Sequence, residues 1–154
     1  MSFDELDVKI LAALSQDGRV RWSALADRFG VSAPAIADHV RRLENSGIIT
    51  GYSVQINAVA VGLGLIAFVS ITLDHPRHRA DFLNYVQHQA HIQSCHHVIG
   101  ESDYLLKICC ASTADLERIL TEEIKALPGI QQTRTTIALS SVKDTAALPI
   151  DEPN

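Results

Sequence analysis

The sequence has few cysteines and no long apolar run. Its 154 residues include three cysteines, Cys95, Cys109 and Cys110. Neighbouring residues on a strand point to opposite faces, so we expect no disulfide framework. The longest apolar stretch, residues 59–69, contains glycine and is too short to span a bilayer. The acidic start also lacks the basic region of a signal peptide, so we expect a cytoplasmic protein with no membrane partner.

Basic charge is scarce as well. Lys and Arg number 13 against 18 acidic residues, which gives a formal net charge of −5. This argues against strong non-specific binding to polyanions, because such binding depends on displacing counterions from phosphate. The acidic excess lies mainly in the second part, since there are seven acidic and six basic residues up to Asn57, then eleven and seven. An apolar content of 47% excludes a disordered chain.

Three short helices are predicted within the first 50 residues, where apolar residues recur at intervals of three or four. The predicted helices end at Gly18, Gly30 and Gly47, and Ser23 and Ser32 are the predicted N-caps of the second and third. The apolar stripe of the third helix consists of Ile36, Val40 and Leu43. These helices, with a tight turn before the third, form one compact unit.

The third helix has the place of the reading helix in a helix-turn-helix, whose N-terminal residues contact base edges in the major groove. Its N-terminus, with Ser32, can bind a phosphate, and Ala35 can contact a thymine methyl group. The candidate contacts to double-stranded DNA are Arg21, Ser32, Ala33, Ala35, His39, Arg41 and Arg42. The alternative is a small protein-binding module whose arginines form a solvated face.

The second part of the chain alternates between strand and helix patterns. The predicted elements are a strand at 63–73, a helix at 77–90, strands at 92–99 and 104–111, a helix ending at 127 and a strand at 131–142. This order is typical of the ferredoxin-like βαββαβ arrangement, an antiparallel sheet with both helices on one face. The fold class is therefore α+β. The predicted divisions are a helix-turn-helix domain at 1–50, a hinge strand or linker at 51–62 and the ferredoxin-like domain at 63–154.

One face of this sheet has no cover within a single chain. Ile66 and Phe68, on the second face of the first strand, or their neighbours on the opposite face, would face water. A second sheet from another subunit would remove that surface from water, with a gain of about 25 cal/mol per Å² of apolar area. We therefore expect a homo-oligomer, a dimer at minimum.

The motifs LDVKILAALSQDGRV, LADRFGVS, VRRLENSGIITGY, GESDYLLKI, LPGIQQTRTTIALSSVK and TAALP resemble those of the Lrp/AsnC family of leucine-responsive, feast/famine transcription regulators, in the same order over residues 3–149. The resemblance implies an N-terminal helix-turn-helix, a hinge strand and a C-terminal domain for effector binding and assembly, with dimers that associate into tetramers or octamers. Family members commonly carry basic residues at the positions that Asp38 and His39 occupy here, and a Lys at the position of Thr50. We therefore expect modest affinity per half-site, restored by multivalency.

The resemblance also implies an effector site. Five residues match the family's Gly-x-x-Asp-Tyr loop: Gly100, Glu101, Ser102, Asp103 and Tyr104. Thr135 and Thr136 match a pair on the last strand that completes the pocket from a neighbour. Backbone N–H groups of such a loop can face a carboxylate and Asp103 can accept from an ammonium group, which suits an amino acid. The alternative is an ordinary hairpin turn in which Asp103 caps its own backbone.

Histidines and cysteines suggest two competing functions. Cys95 and His97 share a strand face, and Cys109 or Cys110 would supply a third metal ligand, but no metal-binding spacing connects them. The same pair lacks an oxyanion site for thiol catalysis. We therefore expect no enzyme activity, no cofactor and no metal. The remaining alternative is a metal- or ligand-sensing oligomeric interaction protein with weak or no DNA binding.

Overall fold

Two units make up the computed structural model, which describes residues 4–150. The first, the helical unit, comprises the described residues up to Gln55 together with the segment from Lys143 onward, and the second, the sheet unit, is Ile56–Val142. The ends of the predicted domains at residues 1–3 and 151–154 lie outside the described residues. Within residues 4–150, no helix is long and apolar enough to cross a membrane.

The helical unit contains the three predicted helices. Their bounds are α1 at Glu5–Gln16, α2 at Trp22–Phe29 and α3 at Ala33–Asn45. Asp4 and Asp7 form a reciprocal capping box at the start of α1, and the Ser32 hydroxyl caps α3 by accepting from the Ala35 N–H. Gly30 ends α2 in the left-handed conformation, with φ 70°. The prediction for Ser23 is wrong, because α2 begins one residue before it.

The core of this unit lies between the three helices. Its buried residues are Ile10, Ala13, Leu25, Ala26, Ile36, Val40 and Leu43. Burial of one large aliphatic side chain contributes about 1.5–3 kcal/mol, and Ile10 and Ile36 are fully buried. After α3, the N–H groups of Ile48 and Ile49 both donate to the Leu43 carbonyl, which turns these two side chains onto the core.

The C-terminal tail departs from the predicted division, in which it belongs to the second domain. From Lys143 onward it groups with the helical unit. Leu148 and Ile150 line a hollow together with Leu11 and Leu14 of α1. In this hollow Ile150 is partly buried, whereas Leu148 remains 71% exposed, so the tail only partly covers the leucines of α1.

The sheet unit has the predicted order of elements. Its elements are β1 at Leu65–Leu73, a 3-10 turn at Pro76–His78, α4 at Arg79–His88, β2 at Ile92–His97, β3 at Tyr104–Cys110, α5 at Thr113–Arg118, continuing as π-helical turns at Ile119–Ile124, and β4 at Ile130–Ile137. The sheet is antiparallel with strand order β2-β3-β1-β4, so the predicted ferredoxin-like arrangement is confirmed. Several predicted ends are wrong: β1 begins at Leu65 rather than 63, β2 ends at His97 rather than 99, and β4 ends at Ile137 rather than 142. Ala90, predicted to face inward, is exposed beyond the end of α4.

The two faces of the sheet differ in cover. On the helix side, β1 buries Ala67, Val69 and Ile71 completely against a core that includes Phe82 and Ile119. On the other side Phe68 is 39% exposed. We call this second side the open face; it also carries Ile66, Ser70, Thr72, Leu105, Lys107, Cys109, Gln132, Arg134 and Thr136, which share it by register.

Candidate functional site

The solvent side of α3 is the candidate DNA-binding surface. Opposite the buried stripe, α3 exposes Pro34, Asp38, Arg41 and Asn45, as the 3.6-residue period requires. At its N-terminus Ser32 is exposed, and Ala33 and Ala35 are partly exposed. The Ser32 oxygen is 3.3 Å from the Ala35 nitrogen, which leaves the hydroxyl proton available to donate. Small side chains at this end give an approaching ligand access to the backbone N–H groups.

His39 and Arg42 lie on a different side of α3, where they bind α1. Arg42 Nη2 is 2.8 Å from both carboxylate oxygens of Asp7 and 3.2 Å from Asp4 Oδ2. His39 Nδ1 is 2.8 Å from Asp7 Oδ1. Asp7 itself is only 3% exposed and is the only buried charged residue in the described part of the chain. We call this group, Asp4, Asp7, His39 and Arg42, the α1–α3 cluster.

The α1–α3 cluster keeps the Asp7 carboxyl ionised. Burial alone would raise the pKa of Asp7, because water stabilises the carboxylate less well there. The hydrogen bonds with His39, Arg42 and the Asp4 N–H, together with the positive charge of Arg42, outweigh this effect and hold the pKa of Asp7 below its ordinary value of 3.8. A buried carboxylate of α1 therefore has its counterion on α3.

The other basic side chains of the helical unit have weaker partners. Arg41 and Asp38 form an exposed ion pair at 2.9 Å, and such surface pairs contribute only about 0–1 kcal/mol. Within residues 4–150, the guanidinium groups of Arg19, Arg21 and Arg28 make no ion pair with a carboxylate. Arg21 is exposed immediately before α2. Arg21 and Arg41 are thus the predicted contacts whose charge is most available to a phosphate.

The loop between β2 and β3 is tied to β1 by Asp103. Asp103 Oδ2 accepts from the Leu73 N–H at 2.8 Å, and the Asp103 N–H donates to the Ile71 carbonyl at 2.9 Å. The Val98 N–H donates to the Asp103 carbonyl at 2.9 Å and closes the turn. The Asp103 side chain therefore caps the neighbouring strand β1 through Oδ2, and Oδ1 takes no part in these three hydrogen bonds.

The Tyr104 side chain is buried and packs within the sheet unit. It is 3% exposed, its hydroxyl accepts from Arg79 Nε at 2.7 Å, and its ring lies 4.9 Å from Phe82 and 5.0 Å from His97, between centroids. Tyr104 and Asp103 line a hollow with His75 and His97 at the start of α4. Of the predicted loop residues, Asp103 and Tyr104 thus face this end of the sheet.

Glu101 and Ser102 face the other side and line a small polar hollow on the open face. The remaining lining residues are Ser70, Thr72, Gln132 and Arg134. Glu101 Oε2 is 2.9 Å from Arg134 Nη1, and both side chains are exposed. The four strand residues of this hollow, Ser70, Thr72, Gln132 and Arg134, were missed by the sequence analysis, although the period-two pattern of β1 and β4 puts them on one face.

Thr135 and Thr136, predicted to act together, point to opposite sides of β4. Thr136 lies beside Phe68 on the open face, and Thr135 lies beside Val69 on the helix side. Both are exposed, since β4 is the edge strand. In one chain, therefore, only Thr136 shares a face with the polar hollow of Glu101 and Arg134.

The cysteines and histidines of the sheet unit do not converge. Burial raises the pKa of the Cys95 thiol, and the Cys109 thiol donates to the Leu63 carbonyl at 3.0 Å. Over the described range, one group of three possible metal ligands has its atoms within 4.8 Å of one another, and it is Asp4, Asp7 and His39. Those carboxylates already bind Arg42.

Comparison with known proteins decides the family. Residues 66–148 match the family described as the Lrp/AsnC ligand binding domain, and residues 3–50 match a winged helix-turn-helix DNA-binding family. The chain belongs to the Lrp/AsnC family. The resemblance on which the sequence analysis depended is thereby confirmed, and this Lrp/AsnC protein is a DNA-binding transcription regulator.

Relatives of this Lrp/AsnC chain match along nearly their whole length. The leucine-responsive regulatory protein of Escherichia coli (strain K12) is 37% identical over 149 residues, which cover 96% of this chain and 91% of the relative. A transcriptional regulator of Neisseria meningitidis in complex with L-methionine has a TM-score of 0.94 at 27% identity, covering 97% and 98%. The feast or famine regulatory protein of Mycobacterium tuberculosis, also with L-methionine, has a TM-score of 0.90 at 37% identity, covering 97% and 100%.

Proposed function

We propose that this regulator reads double-stranded DNA with the N-terminal turn of α3, and that Arg21 and Arg41 contact phosphate or guanine beside it. The exposed N-terminus of α3 carries this proposal: Ser32 is solvent-exposed there and Ala33 and Ala35 leave room for the DNA. Arg41 supports it because its partner Asp38 is itself exposed, so a phosphate can replace that partner at little cost.

The DNA-binding proposal is tested by fluorescence anisotropy on duplexes from the region upstream of the protein's own gene. Arg41→Ala is expected to weaken binding about tenfold, as loss of one base or phosphate contact does. Arg77→Ala, which removes the same charge from an exposed position of the sheet unit, is the matched control and is expected to bind like the unchanged protein. Wild-type binding by both Arg21→Ala and Arg41→Ala would overturn the proposed surface.

We infer that the effector is an amino acid bound beside the loop at residues 100–104. Two structural relatives are complexes with L-methionine. In this chain Asp103 Oδ2 holds β1, and Oδ1 is the oxygen that we assign to an ammonium group. Glu101, Ser102 and Arg134 lie on the opposite side of the loop, in the polar hollow of the open face. Together with Thr135 and Thr136, they are proposed to complete the site of a neighbouring subunit.

A calorimetric screen of the amino acids tests this site. Asp103→Asn retains an oxygen for the Leu73 N–H but removes the charge, so we expect it to stay folded and to lose about tenfold in affinity for the amino acid that binds best. Asp81→Asn, on the exposed side of α4, is the charge-matched control. Equal affinity of the two variants would rule out Asp103 as the ammonium partner.

We further propose that two chains pair through the open face and the exposed segment before β1. Phe68 is the most exposed aromatic residue of the sheet, and Tyr52, Val54 and Ile56 expose alternate large side chains along a segment that lies outside the helices and strands. Both are surfaces that a second copy covers. Light scattering should give a dimer or a multiple of it, with the amino acid changing the mass; a single-chain mass at micromolar concentration would contradict the proposal.

A further inference from the structure

We propose that Asp7 limits DNA affinity by withholding Arg42, together with His39, from the DNA-binding surface. Arg41 and Arg42 are neighbours on α3 and have the same charge, but their partners differ. Arg41 pairs with the exposed Asp38, whereas Arg42 pairs with the buried Asp7. Asp7 is thus a positioning residue that acts on DNA through Arg42. The inference depends on the proposed DNA-binding surface and adds an internal restraint to it.

The first step is geometric. One nitrogen of Arg42, Nη2, donates to both oxygens of Asp7 and also contacts Asp4 Oδ2 and His39 Nδ1, at 2.8–3.2 Å. These contacts turn the guanidinium toward α1. The Arg42 side chain is nevertheless 57% exposed. Burial therefore does not keep it from a phosphate, but its hydrogen bonds to the α1–α3 cluster do.

The second step is the charge of the α1–α3 cluster. Asp4 and Asp7 contribute two negative charges, Arg42 contributes one positive charge and His39 contributes one only when it is protonated. The cluster is therefore negative or neutral as a whole. A phosphate that approaches this side of α3 meets no net positive charge, although the sequence places an arginine there.

The third step is the cost of release. If Arg41 leaves Asp38 for a phosphate, Asp38 stays in water and is solvated. If Arg42 leaves Asp7, an ionised carboxylate that is 3% exposed stays behind without its main counterion, and such uncompensated burial is strongly unfavourable. Hence Arg42 stays on Asp7 when DNA binds, and Arg41 does not stay on Asp38. Only one of the two neighbouring arginines acts as a DNA contact.

Asp7→Asn is the direct test. The amide keeps an oxygen for the α1–α3 contacts but leaves Arg42 without a charged partner at that position. On a duplex of unrelated sequence we expect binding about fivefold tighter at low salt, and a log–log salt slope steeper by about 0.9, the value for one added phosphate contact. Asp17→Asn is the control for net charge and is expected to keep the wild-type slope, because Asp17 is an exposed acid of the same unit whose carboxylate accepts from the Arg19 backbone N–H.

If Asp7 has only a structural role, Asp7→Asn should not add a phosphate contact. In that case Asp7→Asn binds with an unchanged slope, or more weakly in proportion to the loss of helix seen by circular dichroism, and the inference is overturned. If the wild-type chain itself binds no duplex at low salt, the DNA-binding surface fails first and is distinguished in this way from a failure of the restraint.

A second variant decides the question even if Asp7→Asn does not fold. The double substitution Asp7→Asn with Arg42→Gln replaces the ion pair by two amides that can still hydrogen-bond. Because Arg42 contacts no phosphate in our proposal, this protein should keep the wild-type salt slope, whereas Arg41→Gln should lower it by about one. A slope lowered by the double substitution would show that Arg42 contacts DNA while it is paired, and would overturn the inference.

Discussion

The two units of this regulator bury their apolar side chains in different ways. The helical unit surrounds its core: Ile36 and Leu25 are buried between three helices, and the buried charge of Asp7 has its counterions within the same unit. The sheet unit buries one side only, with Val69 inaccessible and its neighbour Phe68 exposed. The core of the first unit is therefore closed within one chain, and the sheet of the second presents apolar surface that suits another copy.

Because of this difference, protein concentration should affect the stability of the two units differently. A core closed within one chain has a free energy of unfolding that does not depend on protein concentration, whereas an interface between chains makes the apparent stability rise with concentration. The following predictions separate the two kinds of stabilisation.

The largest expected effect is on the closed core. Ile36→Ala removes a fully buried side chain from the centre of the helical unit and should cost about 3 kcal/mol through lost burial and a residual cavity. Urea unfolding followed by circular dichroism measures the change. We expect the same loss at high and low protein concentration; a loss that shrinks on concentrating the protein would mean that this core is shared between chains.

The open face should respond to concentration. Phe68→Lys places a charge where a second sheet would pack, and should weaken self-association at least tenfold because the charge would have to be desolvated. Analytical ultracentrifugation over a dilution series measures it. Thr121→Lys, at an exposed position of the π-helical turns on the other side of the unit, is the control; similar dissociation of both variants would show that the open face is not the interface.

A smaller effect is expected for the tail. Ending the chain after Val142 removes Leu148 and Ile150 from the hollow beside Leu11 and Leu14, with a loss of about 1 kcal/mol for the helical unit. Hydrogen exchange should show faster exchange in α1 and unchanged protection in β1 and β3. Faster exchange confined to the strands would place the tail's stabilising effect in the sheet unit instead.

The smallest effect concerns acid. The pKa of Asp7 is lower in the folded chain than its ordinary value of 3.8, so its ionised form stabilises the helical unit above that pH, and this contribution is lost as the pH falls through the lower, folded value. Melting temperatures below about pH 4 should therefore fall less for Asp7→Asn than for the unchanged chain. Parallel curves for the two proteins would show that Asp7 contributes nothing to the acid response.

Local signals were sufficient for most of the fold. Ser32 and Gly30 bound α3 and α2 because capping and left-handed turns depend on residues a few positions apart. The alternation in β1 predicted which residues share a face, but not which of the two faces the helices would cover. The helical stripe likewise gave the buried face of α3. In contrast, Ala90 was misassigned because periodicity does not say where α4 stops, and α4 ends at His88.

The candidate site was less accessible to sequence reasoning. Arg42 reads as a solvent-facing DNA contact until Asp7, 35 positions earlier, is placed beside it, and no local pattern encodes that contact. The association of Leu148 with α1 is missed for a related reason, since a short extended tail carries no helical or strand period. Contacts between distant segments, rather than element types, account for what the sequence left undetermined.

The return of the tail to the helical unit has a consequence for recombining such regulators. The chain leaves this unit after Gln55 and rejoins it at Lys143, so a chimera that joins the DNA-binding part of one relative to the effector part of another needs two junctions. A hybrid with a single exchange point near residue 55 would pair a foreign tail with the native leucines of α1. Matching the last residues to the donor of the first helix should make the hybrid fold better.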